Sequence, residues 1–164
     1  MSKSNGGSKP KSKTVNKGVE KVKEVTIRFA GDSGDGIQLT GERFTTTSAM
    51  MGDAVATMTD FPAEIRAPAG SPGGVSGFQL TFSSGEVYSS TDRVDALVVM
   101  NPAAMKMNIS YLRPDGMLIV NRDAFTEENF AKAGYSANPL ETEAYSSYNV
   151  VDLPISALTA KALD

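Results

Sequence analysis

The sequence predicts an α/β fold, a three-layer α/β/α sandwich with a mostly parallel sheet and an antiparallel hairpin at one side. Three observations predict it. Short strand-like runs alternate with segments of helical period. A glycine cluster joins the first of those strands to the first helix, as in doubly wound sheets. The composition, 40% hydrophobic with 15 Gly and 8 Pro in 164 residues, is ordinary for a globular domain of this class.

Val25-Thr-Ile-Arg-Phe-Ala30 reads as the first strand and stops at Gly31-Asp-Ser-Gly-Asp-Gly36. Beyond the glycines, Ile37, Phe44 and Ser48 with Met51 recur on one face of a helix that ends near Gly52. Ala54 to Phe61 is a second strand. Pro62 to Gly74 is a loop with three Pro, three Gly and the pair Glu64 and Arg66. Phe78 to Phe82 alternates apolar and polar, Ser83 to Gly85 turns, and Glu86 to Ser90 returns as its hairpin partner. Ala96 to Met100 is an uninterrupted apolar run, short enough for a strand buried on both faces, and Asn101-Pro102 opens a helix through Tyr111. Leu112 to Gly116 turns the chain, and Met117 to Val120 is another buried strand. The polar segment Asn121 to Ser147 contains one or two helical turns around Thr126 to Lys132. Val150 to Leu153 is the last strand, followed by a helix from Pro154 with Ser156 as its N-cap. That helix stops after ten residues without a terminal glycine or a basic last turn, so the chain reads as the front part of a longer polypeptide.

Composition removes several chemistries. The sequence has no His, no Cys and no Trp. A Ser-His-Asp triad, a Cys-His dyad, a His-ligated metal, a disulfide and a thiolate-held iron–sulfur cluster are therefore impossible within it. No apolar run approaches the ~20 residues of a membrane span.

The net charge of −3 conceals a division. Residues 1–24 carry seven Lys against two Glu, a net +5, while residues 25–164 carry nine Lys and Arg against seventeen Asp and Glu, a net −8. The Lys/Ser/Gly-rich leader cannot bury enough apolar surface to offset its ordering entropy and is expected to be a disordered tail. It lacks the apolar segment of a secretory signal and the arginines of a mitochondrial presequence. Its lysines read as solubilising rather than as contacts to nucleic acid or membrane, because no aromatic or arginine accompanies them.

The turn Gly31 to Gly36 is the most informative local feature. Glycines between a strand and a helix let the backbone approach a ligand, and the first helical amides point outward, ready for a phosphate. The spacing is G-x-x-G-x-G, not the dinucleotide G-x-G-x-x-G, and no Lys-Ser/Thr follows as in a Walker loop. Asp32 and Asp35 weaken a simple phosphate reading and can instead cap the helix or hold a hydroxyl or lysine. A tight turn that needs only small residues stands as an equal alternative. Arg66 can clamp a carboxylate or phosphate with Glu64 orienting it, or the two can form a surface pair, the somewhat better reading on charge alone. Asn101 is best read as a helix cap, with ligand contact as the alternative.

In that order and spacing, VTIRFAGDSGDGIQLTGERF, FPAEIRAPAGSPGGVSGFQLTFSS, DALVVMNPAAM and LRPDGMLIVN resemble the gamma-type domain of 2-oxoacid:ferredoxin oxidoreductases. The resemblance runs from about Val25 to the end and omits the lysine tail, which divides the chain into a tail, 1–24, and a gamma-type domain, 25–164, truncated at its C-terminal end. It is nearest to the form in which this domain opens the large subunit ahead of a thiamine-binding domain, as in the 2-oxoglutarate enzymes. The family turn is often G-x-G-G-Q-G. Here Ser33 and Asp35 replace the second glycine and the glutamine, which puts phosphate contact by Asp35 in doubt.

The resemblance implies that the complex decarboxylates a 2-oxoacid on thiamine diphosphate with Mg, passes electrons through [4Fe-4S] clusters to ferredoxin, and forms an acyl-coenzyme A in the cytoplasm. It implies partners, a thiamine-binding domain or beta subunit and ferredoxin through the complex, with neither nucleic acid nor membrane among them. Carried onto this sequence, coenzyme A contacts fall on Gly31, Ser33, Gly34, Asp35, Gly36 and Ile37 of the turn, on Arg66 and on Asn101. No catalytic residue and no metal ligand is expected here, since thiamine diphosphate and the clusters belong to other domains or subunits. Two other readings stand beside it: a non-catalytic assembly module, and a stand-alone gamma subunit of a pyruvate or branched-chain enzyme. A free-standing nucleotide-binding enzyme is disfavoured by the missing acid–base residues and the glycine spacing.

Overall fold

The computed structural model describes residues 23–60, 74–85 and 92–163. Six strands form one sheet in the order β2-β3-β1-β4-β5-β6: β1 Glu24–Asp32, β2 Ala54–Asp60, β3 Val75–Ser83, β4 Val94–Val99, β5 Leu112–Asn121 and β6 Asn149–Leu153. The pairs β1·β4, β4·β5 and β5·β6 are parallel, while β3 pairs antiparallel with both β1 and β2. Only β3 runs against the rest, so the sheet is mostly parallel, as the alternation of strands and helices predicts. The hairpin partner expected at Glu86 to Ser90 falls outside the described residues. Both edges of β3 from Gly77 to Ser83 are taken by β1 and β2, which supply the antiparallel pairing of this side.

Helix α1, Ile37–Met50, follows β1, and helix α2, Pro102–Asn108, follows β4. Alternation along the strands sends their side chains to opposite faces. Phe29, Val98 and Met100 meet Ile37 of α1, whereas Ala30, Leu97 and Val99 meet Ala104 and Met105 of α2. This makes three layers. The second face holds the larger apolar cluster, with Val94, Leu112, Leu118 and Val120 also inside it. Each fully buried Leu or Met there contributes about 1.5–3 kcal/mol from removal of its apolar surface from water. Between β1 and β3 the same face turns polar: Thr26 and Arg28 stand opposite Thr81 and Gln79, all four buried, with the two threonine hydroxyls 2.9 Å apart.

Several elements depart from expectation. The buried face of α1 is Ile37, Gly41 and Ser48; Phe44 is 40% exposed and Met51 79% exposed. Gly41 explains this, because a Cβ there would lie 2.2 Å from the Phe78 ring, so α1 seats against β3 through a missing side chain. Phe44 then leans across, its ring 6.0 Å from Phe29 and 6.1 Å from Phe82.

The turn expected at Leu112 to Gly116 lies inside β5 as a bulge. The register steps from Val94↔Leu112 to Ala96↔Met117, and Asp115 takes a left-handed φ of 59°. Turn-forming residues are present, but the chain resumes its direction after them, because Asp115 is held by Ser147 and Asn149 through its own N–H and carbonyl.

Of the expected tail, residues 1–22 lie outside the described residues. Glu24 already belongs to β1, and the Lys23 carbonyl accepts from Ser84 N and Ser83 Oγ. Two short elements complete the fold, helix α3, Glu127–Lys132, and helix α4, Ile155–Leu163. Among the described residues no helix is long and apolar enough to cross a membrane.

Candidate functional site

Strand order decides where a site can form. From β1 the chain leaves through α1 toward the β2 edge, and from β4 it leaves through α2 toward β5 and β6. The order reverses between β1 and β4, and loops that part at such a switch leave a crevice at the carboxyl ends of the strands. A cleft of roughly 480 Å³ opens there, lined by Asp32 and Asp35 after β1, Asn101 after β4, Asn121 at the end of β5, Lys132 of α3 and Ser156 of α4.

The glycine turn forms one wall. Asp35 N donates to the Asp32 carbonyl at 2.9 Å, and the Asp35 carboxylate accepts from Asp32 N at 2.8 Å, so the expected helix cap is instead a brace across the turn. Gly31 lets this brace close, since a Cβ on it would stand 2.7 Å from Asp35 Oδ2 and 3.0 Å from Met100 Cβ. Gly36 takes φ 70° and is the N-cap of α1, where no side chain caps the first amides. Among the described residues, none has an atom within 4 Å of where a Cβ on Gly34 would stand. The Ser33 hydroxyl donates to the Gly74 carbonyl at 3.1 Å and accepts from Ser76 Oγ at 3.3 Å.

The other helix ends at the cleft are satisfied. Asn101 Oδ1 accepts from Ala104 N at 2.8 Å and Pro102 has no N–H to satisfy, which makes Asn101 the cap that its sequence context predicts. Ser156 lies inside α4 and does not cap it. Asn121 Oδ1 accepts from Ser156 N at 3.3 Å and Asp123 Oδ2 from Ala157 N at 2.8 Å, so the caps come from the segment after β5. Asn121 Nδ2 also donates to Ser156 Oγ at 2.9 Å and to the Met100 carbonyl at 3.4 Å, tying β4, β5 and α4 at the cleft floor.

Of the residues singled out from sequence, Asp32, Asp35 and Asn101 line the cleft. Gly31, Ser33, Gly34, Gly36 and Ile37 build the turn behind Asp35, with Ile37 buried in the core. Arg66 lies outside the described residues. Sequence reasoning missed Asn121, Lys132 and Ser156. One signal pointed to Asn121: the buried runs ALVVM and MLIV are each followed directly by Asn.

Two carboxylates and one ammonium face the cleft from the described residues. Lys132 Nζ lies 2.7 Å from Glu128 Oε1, and that hydrogen bond and charge lower the Glu128 carboxyl from its ordinary value. A larger hollow of about 660 Å³ on α3 holds Phe125, Phe130, Tyr135, Glu127 and Glu141, a poor complement for an anion. There burial, with the Tyr145 hydroxyl 3.1 Å away, raises the Tyr135 hydroxyl. Among the described residues no group of three or more His, Cys, Asp or Glu is placed to hold a metal ion.

Fold and crevice together define a doubly wound α/β domain with a cleft at the β1/β4 switch. The family described as pyruvate ferredoxin/flavodoxin oxidoreductase matches residues 26–163, and the chain belongs to that family. It is 50% identical over 145 residues to the 2-oxoglutarate oxidoreductase subunit KorA of Mycobacterium tuberculosis. That match takes in 88% of this chain and 22% of the relative, so the chain spans about a fifth of that protein's length.

Solved structures share the fold. A 2-oxoglutarate:ferredoxin oxidoreductase from Magnetococcus marinus, with 2-oxoglutarate, coenzyme A and succinyl-CoA bound, superposes with TM-score 0.66 at 24% identity, over 88% of this chain and 22% of that one. The gamma subunit of a keto/oxoacid ferredoxin oxidoreductase from Geobacter sulfurreducens gives TM-score 0.56 at 21% identity, over 80% and 62% of the two chains. The pyruvate oxidoreductase subunit PORC of Thermotoga maritima gives 0.55 at 16%, over 87% and 68%.

Proposed function

We propose that this chain is the gamma-type domain of a 2-oxoacid:ferredoxin oxidoreductase, with 2-oxoglutarate as the acid, and that its cleft holds part of coenzyme A. The carrying observation is the uncapped start of α1 at the switch point: Gly36 supplies no side chain, and no described residue comes within 4 Å of a Cβ placed on Gly34. Backbone N–H groups in that position suit a diphosphate, whose charge the helix end also favours. The 50% identity to a 2-oxoglutarate oxidoreductase subunit supports the choice of acid.

On this reading Gly34, Gly36 and Ile37 offer N–H donors, Arg66 adds a positive charge, and Asn101 and Asn121 fix the opposite wall. Thiamine diphosphate, Mg and the [4Fe-4S] clusters belong to the thiamine-binding domain or beta subunit and to other parts of the complex, which works in the cytoplasm and delivers electrons to ferredoxin. The 2-oxoacid loses CO₂, two electrons leave for ferredoxin, and the acyl group is captured by the coenzyme A thiol. This chain positions that thiol's carrier and packs against the catalytic domains.

The test is calorimetric titration of coenzyme A into the assembled enzyme, comparing wild type with Gly34→Val and Arg66→Ala. The first carbon of a side chain at Gly34 meets no described residue within 4 Å. At least tenfold weaker binding is expected for Gly34→Val; wild-type affinity in both variants overturns the assignment.

A further inference from the structure

Helix α1 leaves an apolar face uncovered by the described residues. Leu39 is 59% exposed, and with the exposed Phe44 and Met51 it lines a groove of about 550 Å³ that follows the helical period along α1. From Leu39 to Met51 the helix rises about 18 Å, at 1.5 Å per residue. An exposed Leu alone needs no explanation, but a continuous apolar groove marks a contact surface.

The chain enters the fold at the foot of this groove. Lys23, the first described residue, is fastened there: its carbonyl accepts from Ser84 N at 3.0 Å and from Ser83 Oγ at 2.9 Å. Lys23 shares a small hollow with Asp53 and Phe82, and both of these lead to the groove. Asp53 N donates at 3.2 Å to the carbonyl of Ser48, a groove residue, and the Phe82 ring lies 6.1 Å from that of Phe44. The part of residues 1–22 nearest β1 therefore starts at the carboxyl end of α1.

That part is also where the leader carries its apolar side chains. Apart from Met1, the large aliphatic residues of 1–22 are Val15, Val19 and Val22, spaced four and three apart, the interval that puts side chains on one face of a helix. Lys17, Glu20 and Lys21 fall on the opposite face. Eight helical residues span about 12 Å, within the length of the groove. Alone, a segment so short cannot hold a helix, and apolar contact is what it lacks. The charges match too. The last turn of α1 has no basic residue and Asp53 follows it, a place that favours Lys21 and Lys23. Arg43, which also lines the groove, suits Glu20.

We propose that residues 15–22 dock on α1, with Val15, Val19 and Val22 in the groove between Leu39 and Met51. The occupant is this chain's own segment. The leader is then two pieces: a docking stem, 15–22, and the lysine-bearing residues 1–14, which beyond Met1 have no large aliphatic side chain to dock.

Hydrogen exchange read by mass spectrometry on the assembled enzyme tests this. Relative to their intrinsic rates, the amides of 15–22 are expected to exchange at least about tenfold more slowly than those of 2–14. Val19→Asp and Leu39→Asp, one on each side of the contact, are each expected to abolish that difference, with unchanged exchange in β4 and β5 showing that the domain is folded. Removal of residues 1–22 is expected to speed exchange in α1. Other occupants give other results. A second copy of the chain makes the protection of α1 fall on dilution, and a neighbouring domain of the complex keeps α1 protected after residues 1–22 are removed. Either result overturns the proposal, as does exchange in 15–22 as fast as in 2–14, or protection there that survives both substitutions.

Discussion

The two helices that begin on either side of the switch point are built by opposite means. α2 is seated by volume and closed by its own side chain: Met105 is fully buried, and Asn101 satisfies the first turn. α1 is seated by the lack of a side chain at Gly41 and opens without a cap at Gly36. One junction is finished by the protein alone. The other leaves the first amides of α1 without a side-chain cap, so the same secondary-structure grammar, strand then helix, yields a side-chain-capped corner after β4 and an uncapped one after β1.

The largest effect separating the two is in packing. Met105→Ala leaves a cavity in the main apolar cluster and is expected to cost about 2–5 kcal/mol in urea unfolding. A loss below about 1 kcal/mol would mean that α2 is not anchored by this side chain.

Gly41→Ala tests the opposite construction. Helix propensity alone predicts a gain of about 1 kcal/mol for such a change, but the new methyl meets the Phe78 ring, and overpacking of this kind costs about 1–3 kcal/mol. Destabilisation is expected, and a more stable variant would show that α1 does not sit against Phe78.

The smallest effect concerns the caps. Asn101→Ala is expected to lose about 1 kcal/mol, with Asn101→Asp retaining wild-type stability because an aspartate caps equally well. An equal loss in both variants would assign Asn101 a role other than the cap.

The features legible in the sequence are those set by near neighbours in the chain. The Gly31 to Gly36 turn, the Asn101-Pro102 start and the apolar strands β4 and β5 each announce themselves within a few residues. The antiparallel pairing of β3 is legible as a tendency, whereas its partners are not, because a helix, a strand and the stretch 61–73 intervene between β1 and β3, and such pairing leaves no local mark. The Leu112 to Gly116 segment has turn chemistry, yet only contact with Ser147 and Asn149 decides that it bulges a strand instead of reversing it. The far wall of the cleft is hidden for the same reason. Lys132 belongs to a polar stretch and gains meaning only when α3 is laid beside the ends of β1, β4 and β5.

The fastening of α2 has a mechanical consequence. Its first turn is held by Asn101, and at its last turn Asn108 accepts from the buried Arg28 Nε at 2.7 Å while donating to the Ala104 carbonyl at 2.9 Å. The Arg28 guanidinium lies 4.5 Å from the centre of the Tyr111 ring, pinning the turn that follows. A rod clamped at both ends and resting on the sheet is a strut, and the cleft wall it carries, Met100 to Ala103, is stiff.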